Sequence, residues 1–133
     1  LDSGTIVVTI GGGGIPVVKD PDGLLQGRDA VIDKDIATSL LARQLGASVL
    51  IFSTSVDRVS LDFNTPQQRE IEDMSVDECH EYLEQGHFLP GSMRPKIEAA
   101  LAFLEAGGDK VIITQPHLLS AALEGSRGTR IVR

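Results

Sequence analysis

The sequence predicts an α/β fold with a mainly parallel sheet covered by helices, and three observations carry this prediction. Segments with the character of strands alternate with segments of helical periodicity along the chain. Only 4% of the 133 residues are aromatic and tryptophan is absent, so the core must rest on Ile, Val, Leu and Ala, which suits such a sheet. A β-branched run at residues 5–10 leads directly into four glycines. A chain of this length is one domain or one lobe and can bury a real core.

In the first half of the chain, the strands are predicted from β-branched runs and the helix from apolar periodicity. The turn-forming residues 20–23 join two arms of a short hairpin. The helix has apolar residues three or four positions apart and ends at Gly46, a residue suited to a helix C-terminus. The predicted elements are a strand at 5–10, hairpin arms near 17–18 and 24–25, a helix from about Asp33 to Leu45, and a buried strand at 48–52.

The second half continues the alternation of strands and helices. Residues 59–63 alternate with period two, which is typical of a half-exposed strand. Ser75 and Glu78 have the spacing of a capping box, which predicts the start of a helix. The predicted elements are that strand, a helix at about 75–85, the longest helix from residue 92 or 95 to 106, a buried strand at 110–114, a short helix at 117–123 and a last strand at 129–132.

Composition and charge exclude several classes of function. The apolar fraction is 41%, which is too high for a disordered chain. The net charge is −7 without any basic run, so neither nucleic acid nor an anionic membrane is expected as a partner. No apolar stretch has membrane length, and the first residues do not resemble a signal peptide. The start without Met, almost directly at a strand, suggests a segment of a longer protein, and we expect a cytoplasmic one.

Cys79 is the single cysteine, so no internal disulfide can form, which fits a reducing compartment. Its acidic neighbours Asp77, Glu78 and Glu81 should raise the pKa of the thiol. A thiol with a raised pKa is a poor nucleophile, and no reactive role is expected.

The glycine run at the end of the first predicted strand allows two interpretations. Its backbone can approach a ligand closely, and successive N–H groups can bind phosphate oxygens. The run matches neither of the two common phosphate-binding glycine motifs, so a plain turn is an equally good interpretation. The residues are Gly11, Gly12, Gly13 and Gly14.

Two lysines stand where predicted helices begin, and both are unusual there. A cation at a helix N-terminus is mildly unfavourable, so Lys34 and Lys96 should each have an anionic partner. Together with the glycine run they could converge on a polyphosphate, and we expect both to be exposed and to contribute little to stability. Asp33 and Asp35 could reach Mg²⁺ directly or through water. The alternative for these two carboxylates is helix capping and compensation of the helix dipole.

The other polar candidates are weaker. His87 is expected to hydrogen-bond to the backbone, because a lone histidine is seldom catalytic. His80 and His117 have no metal-ligand spacing with each other or with Cys79. Asp57 could bind a ribose or the loop backbone, or form a local Asx turn.

Longer segments resemble the carbamate kinases, a branch of the amino acid kinase family. The resemblance extends over the whole chain in order, and its most specific parts are residues 30–35 and 86–100. Written out, these are Ala30-Val31-Ile32-Asp33-Lys34-Asp35 and Gly86-His87-Phe88-x-Pro90-Gly91-Ser92-Met93-x-Pro95-Lys96-x-Glu98-Ala99-Ala100. The resemblance implies a three-layer α/β/α sandwich of the amino acid kinase type. It also implies that residues 1–133 are a single C-terminal, nucleotide-binding lobe, with the N-terminal, acceptor-binding half absent.

The resemblance further implies phosphoryl transfer between carbamoyl phosphate and ADP, with ATP or ADP and Mg²⁺ as cofactors and a homodimeric state. Lys34 and Lys96 would contact the phosphates, with Asp35 as their polar companion and a water-mediated link to Mg²⁺. Gly11 to Gly14 would contact the γ-phosphate. The remaining nucleotide-binding positions implied are Asp33, Thr54, Asp57 and Met93.

Two positions depart from the pattern of the family. Ser60 and Asp62 stand where many members have tyrosine and asparagine, and the loss of an aromatic side chain could weaken packing on the base. The alternatives are a catalytically inactive nucleotide-binding remnant or regulatory subunit, and an amino acid kinase that acts on another acceptor.

Overall fold

A computed structural model describes residues 3–133 of the chain. Its helices and strands follow the predicted alternation in most places. In chain order they are β1 (Val17–Lys19), β2 (Leu25–Gly27), α1 (Lys34–Gln44), β3 (Val49–Ser53), β4 (Val59–Leu61), β5 (Arg69–Ile71), β6 (Asp73–Ser75), α2 (Val76–Glu84), α3 (Met93–Glu105), β7 (Lys110–Thr114), a 3₁₀ turn (Pro116–Leu118), α4 (Leu119–Leu123) and β8 (Thr129–Val132).

A four-stranded sheet in the order β3-β7-β8-β6 forms the centre of the fold. β3 pairs with β7 and β6 with β8 in parallel, while β7 and β8 are antiparallel. The residues of β7 from Val111 to Ile113 are fully buried, as expected for a central strand covered on both faces. Helices α1 and α3 pack against each other and against β3, and α4 packs on β7. The predicted α/β class with a mainly parallel sheet is confirmed.

The starts of α1 and α2 are those that the capping residues predicted. The side chain of Asp33 accepts hydrogen bonds from the first turn of α1, and Ser75 and Glu78 form the reciprocal capping box of α2. The predicted hairpin is also present, since β1 and β2 pair antiparallel. No helix among residues 3–133 is long and apolar enough to cross a membrane.

The strand predicted at residues 5–10 is wrong. This segment has no strand structure, and Ile6 and Val8 are 93% and 98% exposed. A β-branched run becomes a strand only when a neighbouring strand completes its hydrogen bonds, and none of the described residues does so. Strands β5 and β6 were not predicted, because the apolar residues of the segment 69–75, Ile71 and Met74, are three positions apart and do not alternate with period two. β6 is instead tied to β8 by Asp73, which accepts from Nε of Arg130 at 2.6 Å and from Nη2 at 3.0 Å.

Cys79 is fully buried, and burial raises the pKa of its thiol to about 12, with the charge of Glu78 as the second cause. The predicted raised pKa is therefore confirmed, although burial contributes more than the acidic neighbours. We expect iodoacetamide to leave Cys79 unmodified in the folded chain at pH 8 and to modify it in guanidinium chloride, because only the exposed thiolate reacts. Mass spectrometry over time measures this. Modification of the folded chain as fast as of the chain in guanidinium chloride would contradict the buried placement of Cys79 on α2.

Candidate functional site

Both lysines from the helix starts converge on one carboxylate. Lys96 Nζ donates a hydrogen bond to Asp35 Oδ2 at 2.8 Å, and Lys34 Nζ lies 3.6 Å from the same oxygen. The Asp35 and Lys96 side chains are 9% and 11% exposed, whereas the Lys34 side chain is 61% exposed. The expectation that both lysines are exposed is therefore wrong for Lys96. We call Lys34, Asp35 and Lys96 the lysine cluster.

The packing of α1 on α3 positions the lysine cluster. Asp35, Ser39 and Ala42 form the buried face of α1, at the spacing of successive helical turns. Ser39 Oγ donates to the carbonyl of Ala99 at 2.8 Å in the same contact. The first turns of both helices therefore lie side by side.

The lysine cluster carries an excess of one positive charge, since one carboxylate lies between two ammonium groups. The N-terminal ends of two helices add their partial positive charge at the same place. Lys34 is the exposed member, so its ammonium group is accessible from solvent. The arrangement suits an anion with several oxygens.

The predicted metal-binding carboxylates already have protein partners. Asp33 Oδ1 accepts from the backbone N–H of Asp35 at 2.8 Å and of Ile36 at 3.1 Å, which is the capping role. Asp35 Oδ2 is occupied by the two lysines. Within residues 3–133, no group of three or more His, Cys, Asp or Glu side chains could hold a metal ion.

The glycine run is exposed, and apart from the adjacent residues in the chain no described residue lies within 4 Å of the position that a Cβ would take at Gly11, Gly12 or Gly13. Gly13 has a φ of +77°, which favours glycine. No hydrogen bond or ion pair within the described part of the chain joins this run to the lysine cluster. The two lysines therefore converge on Asp35, while the convergence of the glycine run with them on a polyphosphate stays a prediction.

A cavity of about 270 Å³ opens beside the start of α3. One wall comes from the segment 54–63 and the other from the segment 87–93. Thr54 and Met93, two of the nucleotide-binding positions that the resemblance implied, line it. No sequence motif predicted that the other lining residues would form a pocket together. They are Ser55, Val56, Arg58, Ser60, Phe63, His87, Phe88, Leu89 and Ser92.

Asp57 does not line this cavity. Its Oδ1 accepts from the backbone N–H of Gly128 at 3.0 Å and from Thr114 Oγ1 at 3.4 Å, and its Oδ2 from Arg127 at 3.3 Å. Of the predicted alternatives, the structure favours binding to loop backbone. The carboxylate ties the segment after β3 to the turn before β8.

His87 differs from its prediction, because side chains rather than backbone groups surround its ring. Nδ1 lies 3.0 Å from Asp62 Oδ1 and Nε2 lies 2.9 Å from Gln85 Oε1. Arg58, which also lines the cavity, forms a 2.6 Å ion pair with Glu72, and its Nε has no partner among the described residues. No sequence pattern could pair His87 with a residue 25 positions away.

Comparisons with known proteins find relatives of the chain in both sequence and structure. A sequence model of the amino acid kinase family matches residues 1–115. The chain is 48% identical over 133 residues to the carbamate kinase-like protein YahI of Escherichia coli, and 48% identical over 134 residues to the carbamate kinase of Clostridium perfringens. The solved carbamate kinase of Giardia lamblia bound to AMP-PNP superposes with a TM-score of 0.85 at 40% identity and covers 91% of the chain. The chain spans 42% of the length of each of these three proteins.

Proposed function

The chain belongs to the amino acid kinase family, and we propose that it is the nucleotide-binding lobe of a carbamate kinase. The resemblance to carbamate kinases that the motifs predicted is confirmed by relatives with 48% identity over the full length of the chain. The whole protein would transfer the phosphoryl group of carbamoyl phosphate to ADP. An oxygen of the ADP β-phosphate forms the new P–O bond, the bond to carbamate breaks, and the carbamate released decomposes to ammonia and CO₂.

The lysine cluster is the observation that carries this proposal. Phosphoryl transfer needs little more than positioning and positive charge beside the transferring group. Lys34 and Lys96 would stabilise the charge on the phosphate oxygens, and no covalent intermediate with the protein is required. Asp35 would orient Lys96 through their 2.8 Å hydrogen bond. It acts as a positioning residue toward that lysine.

The cavity is the proposed site of the nucleoside. Met93 lines it and Lys96 follows three residues later on α3, which is about 4.5 Å along the helix axis. A nucleoside bound there would direct its phosphates toward the lysine cluster. Gly11 to Gly14 would then contribute backbone N–H groups to the γ-phosphate, as would fit their exposure.

Mg²⁺ is proposed to enter with the nucleotide. The residues fit an ion held mainly by phosphate oxygens and water, since Asp35 can reach it only through water while two lysines occupy its Oδ2. When bound, the ion neutralises negative charge on the phosphates. The capping bonds of Asp33 leave its second oxygen for a water-mediated contact.

The remaining proposals concern the whole protein. A homodimer that acts on a small carbamate or carbamoyl phosphate substrate fits the resemblance, and a cytoplasmic location fits the single free thiol as well. An inactive nucleotide-binding remnant or regulatory subunit is the alternative, and it would bind Mg·ADP without turnover. The accessible ammonium group of Lys34 beside the Lys96–Asp35 pair favours a working kinase, because phosphoryl transfer needs positive charge beside the transferring group.

We expect the chain to bind Mg·ADP in preference to inorganic phosphate or a short DNA duplex. The lysine cluster provides local positive charge, whereas the net charge of −7 repels an extended polyanion. Isothermal calorimetry with the three ligands measures this. Lys110→Ala is the matched control. Lys110 follows the C-terminal end of α3, a helix of 13 residues whose N-terminal end lies beside the lysine cluster, so Lys110 is far from the proposed site. Tighter binding to DNA than to Mg·ADP would refute the proposed function.

A further inference from the structure

We propose that His87 and Asp62 are positioning residues that hold the two walls of the cavity together and thereby set nucleotide affinity. This inference rests on the proposed function, because it assigns a role in the same nucleoside site. Asp62 belongs to the wall at 54–63 and His87 to the wall at 87–93. Their 3.0 Å contact is the one hydrogen bond or ion pair between these walls within residues 3–133. We call it the His87–Asp62 bridge.

The His87 ring is fixed from several sides. Its Nε2 lies 2.9 Å from Gln85 Oε1, and the Gln85 amide nitrogen donates to Glu81 Oε1 at 2.8 Å. Tyr82 meets the ring edge to face, with 5.6 Å between the centroids. The His87 side chain is only 19% exposed. The ring is thus anchored to α2 and its last turn, so it can act as a fixed point for the opposite wall.

The backbone of Asp62 has a conformation that few residue types adopt. Its φ is +49°, in the left-handed region that Asp and Asn tolerate better than other residues with a side chain. The turn that follows is closed by Thr65, whose backbone N–H and hydroxyl both donate to the carbonyl of Asp62. This conformation lets the carboxylate leave the end of β4 toward His87. Phe63, the next residue, lines the cavity.

The position of the His87–Asp62 bridge indicates that it affects binding of the nucleoside rather than of the phosphates. Phe63 follows Asp62 on one wall and Phe88 follows His87 on the other, so the bridge sets the spacing of two aromatic side chains that line the cavity. Without it, the walls must be ordered when the nucleoside binds, which costs affinity. The lysine cluster contains neither residue, so binding of phosphate groups alone should not change.

The experiment compares Asp62→Gly with Asp62→Asn. Glycine keeps the left-handed backbone and removes the acceptor, while asparagine keeps both. We expect Asp62→Gly and His87→Ala to raise the Kd of Mg·ADP roughly fivefold to tenfold, the effect of one lost hydrogen bond, and Asp62→Asn to stay within about twofold. The Kd of Mg·pyrophosphate, which lacks a nucleoside, should be unchanged in all three. Calorimetry gives the constants, and thermal unfolding shows that the variants are folded.

Four outcomes overturn parts of this reasoning separately. Equal ADP affinity of Asp62→Gly and the natural chain overturns the role of the bridge, and so does equal weakening of ADP and pyrophosphate, which would mean general structural damage. Asp62→Asn binding as weakly as Asp62→Gly overturns the assignment to the hydrogen bond. If the natural chain binds no Mg·ADP, the proposed function fails and the inference fails with it.

Discussion

Replacing Lys96 with methionine is expected to lower the free energy of unfolding by about 3 kcal/mol, the cost of removing one partner of a buried ion pair. The Asp35 carboxylate, 9% exposed, would lose the ammonium group 2.8 Å away. Lys34 Nζ lies 3.6 Å from the same oxygen and would still partly neutralise it. The expected cost is therefore at the lower end of the range of about 3–5 kcal/mol for breaking a buried ion pair. Lys34→Ala should change the free energy by no more than about 0.5 kcal/mol, because Lys34 is a surface side chain. Urea unfolding measures both values.

Both substitutions are also expected to weaken Mg·ADP binding. The loss of a hydrogen bond to a charged phosphate costs roughly 1.5–3 kcal/mol, which is about a tenfold to 150-fold rise in Kd. The double variant Asp35→Asn/Lys96→Met removes the buried charge together with its partner, so it should regain stability without regaining affinity. A variant that keeps full affinity in its folded fraction would show that the lysine it lacks is structural.

Local signals in the sequence predicted most helix boundaries. Asp33 before α1 and the Ser75–Glu78 pair before α2 are capping residues, and a cap depends on neighbours within four positions. The hairpin of β1 and β2 was predicted for the same reason, since Asp20 and Gly23 determine the turn locally.

Features that depend on distant residues were not predictable in this way. Residues 5–10 have strand propensity, but a strand needs a partner, and the described chain provides none. The burial of Lys96 depends on Asp35, 61 positions earlier, because the packing of α1 on α3 brings them together. The sequence pattern at the start of α3 indicated a cation that needs an anionic partner. The pattern could not show that Asp35 of the same protein provides part of this negative charge.

The isolated chain is not expected to form ATP from carbamoyl phosphate at a useful rate, whereas a protein extended to the length of its relatives should. The described residues provide a nucleoside cavity and the lysine cluster. Besides the exposed glycine run, nothing among them is placed to hold the small acceptor in line with the nucleotide phosphates. The chain spans 42% of the length of its relatives, so the acceptor site is proposed to lie in the remainder.

The same reasoning predicts self-association of the isolated chain. Ile6, Val8, Ile15 and Val31 are between 86% and 98% exposed, and exposed large apolar side chains favour association. Light scattering measures the association.

Turnover of the isolated chain is measured with a coupled assay of ATP formation, with a full-length carbamate kinase as the positive control. Turnover of roughly 1–100 s⁻¹, the range of kinases, by the purified chain would mean that residues 1–133 carry a complete site. The acceptor would then have to bind between the glycine run and the lysine cluster, because these are the described residues that we propose to contact phosphate oxygens.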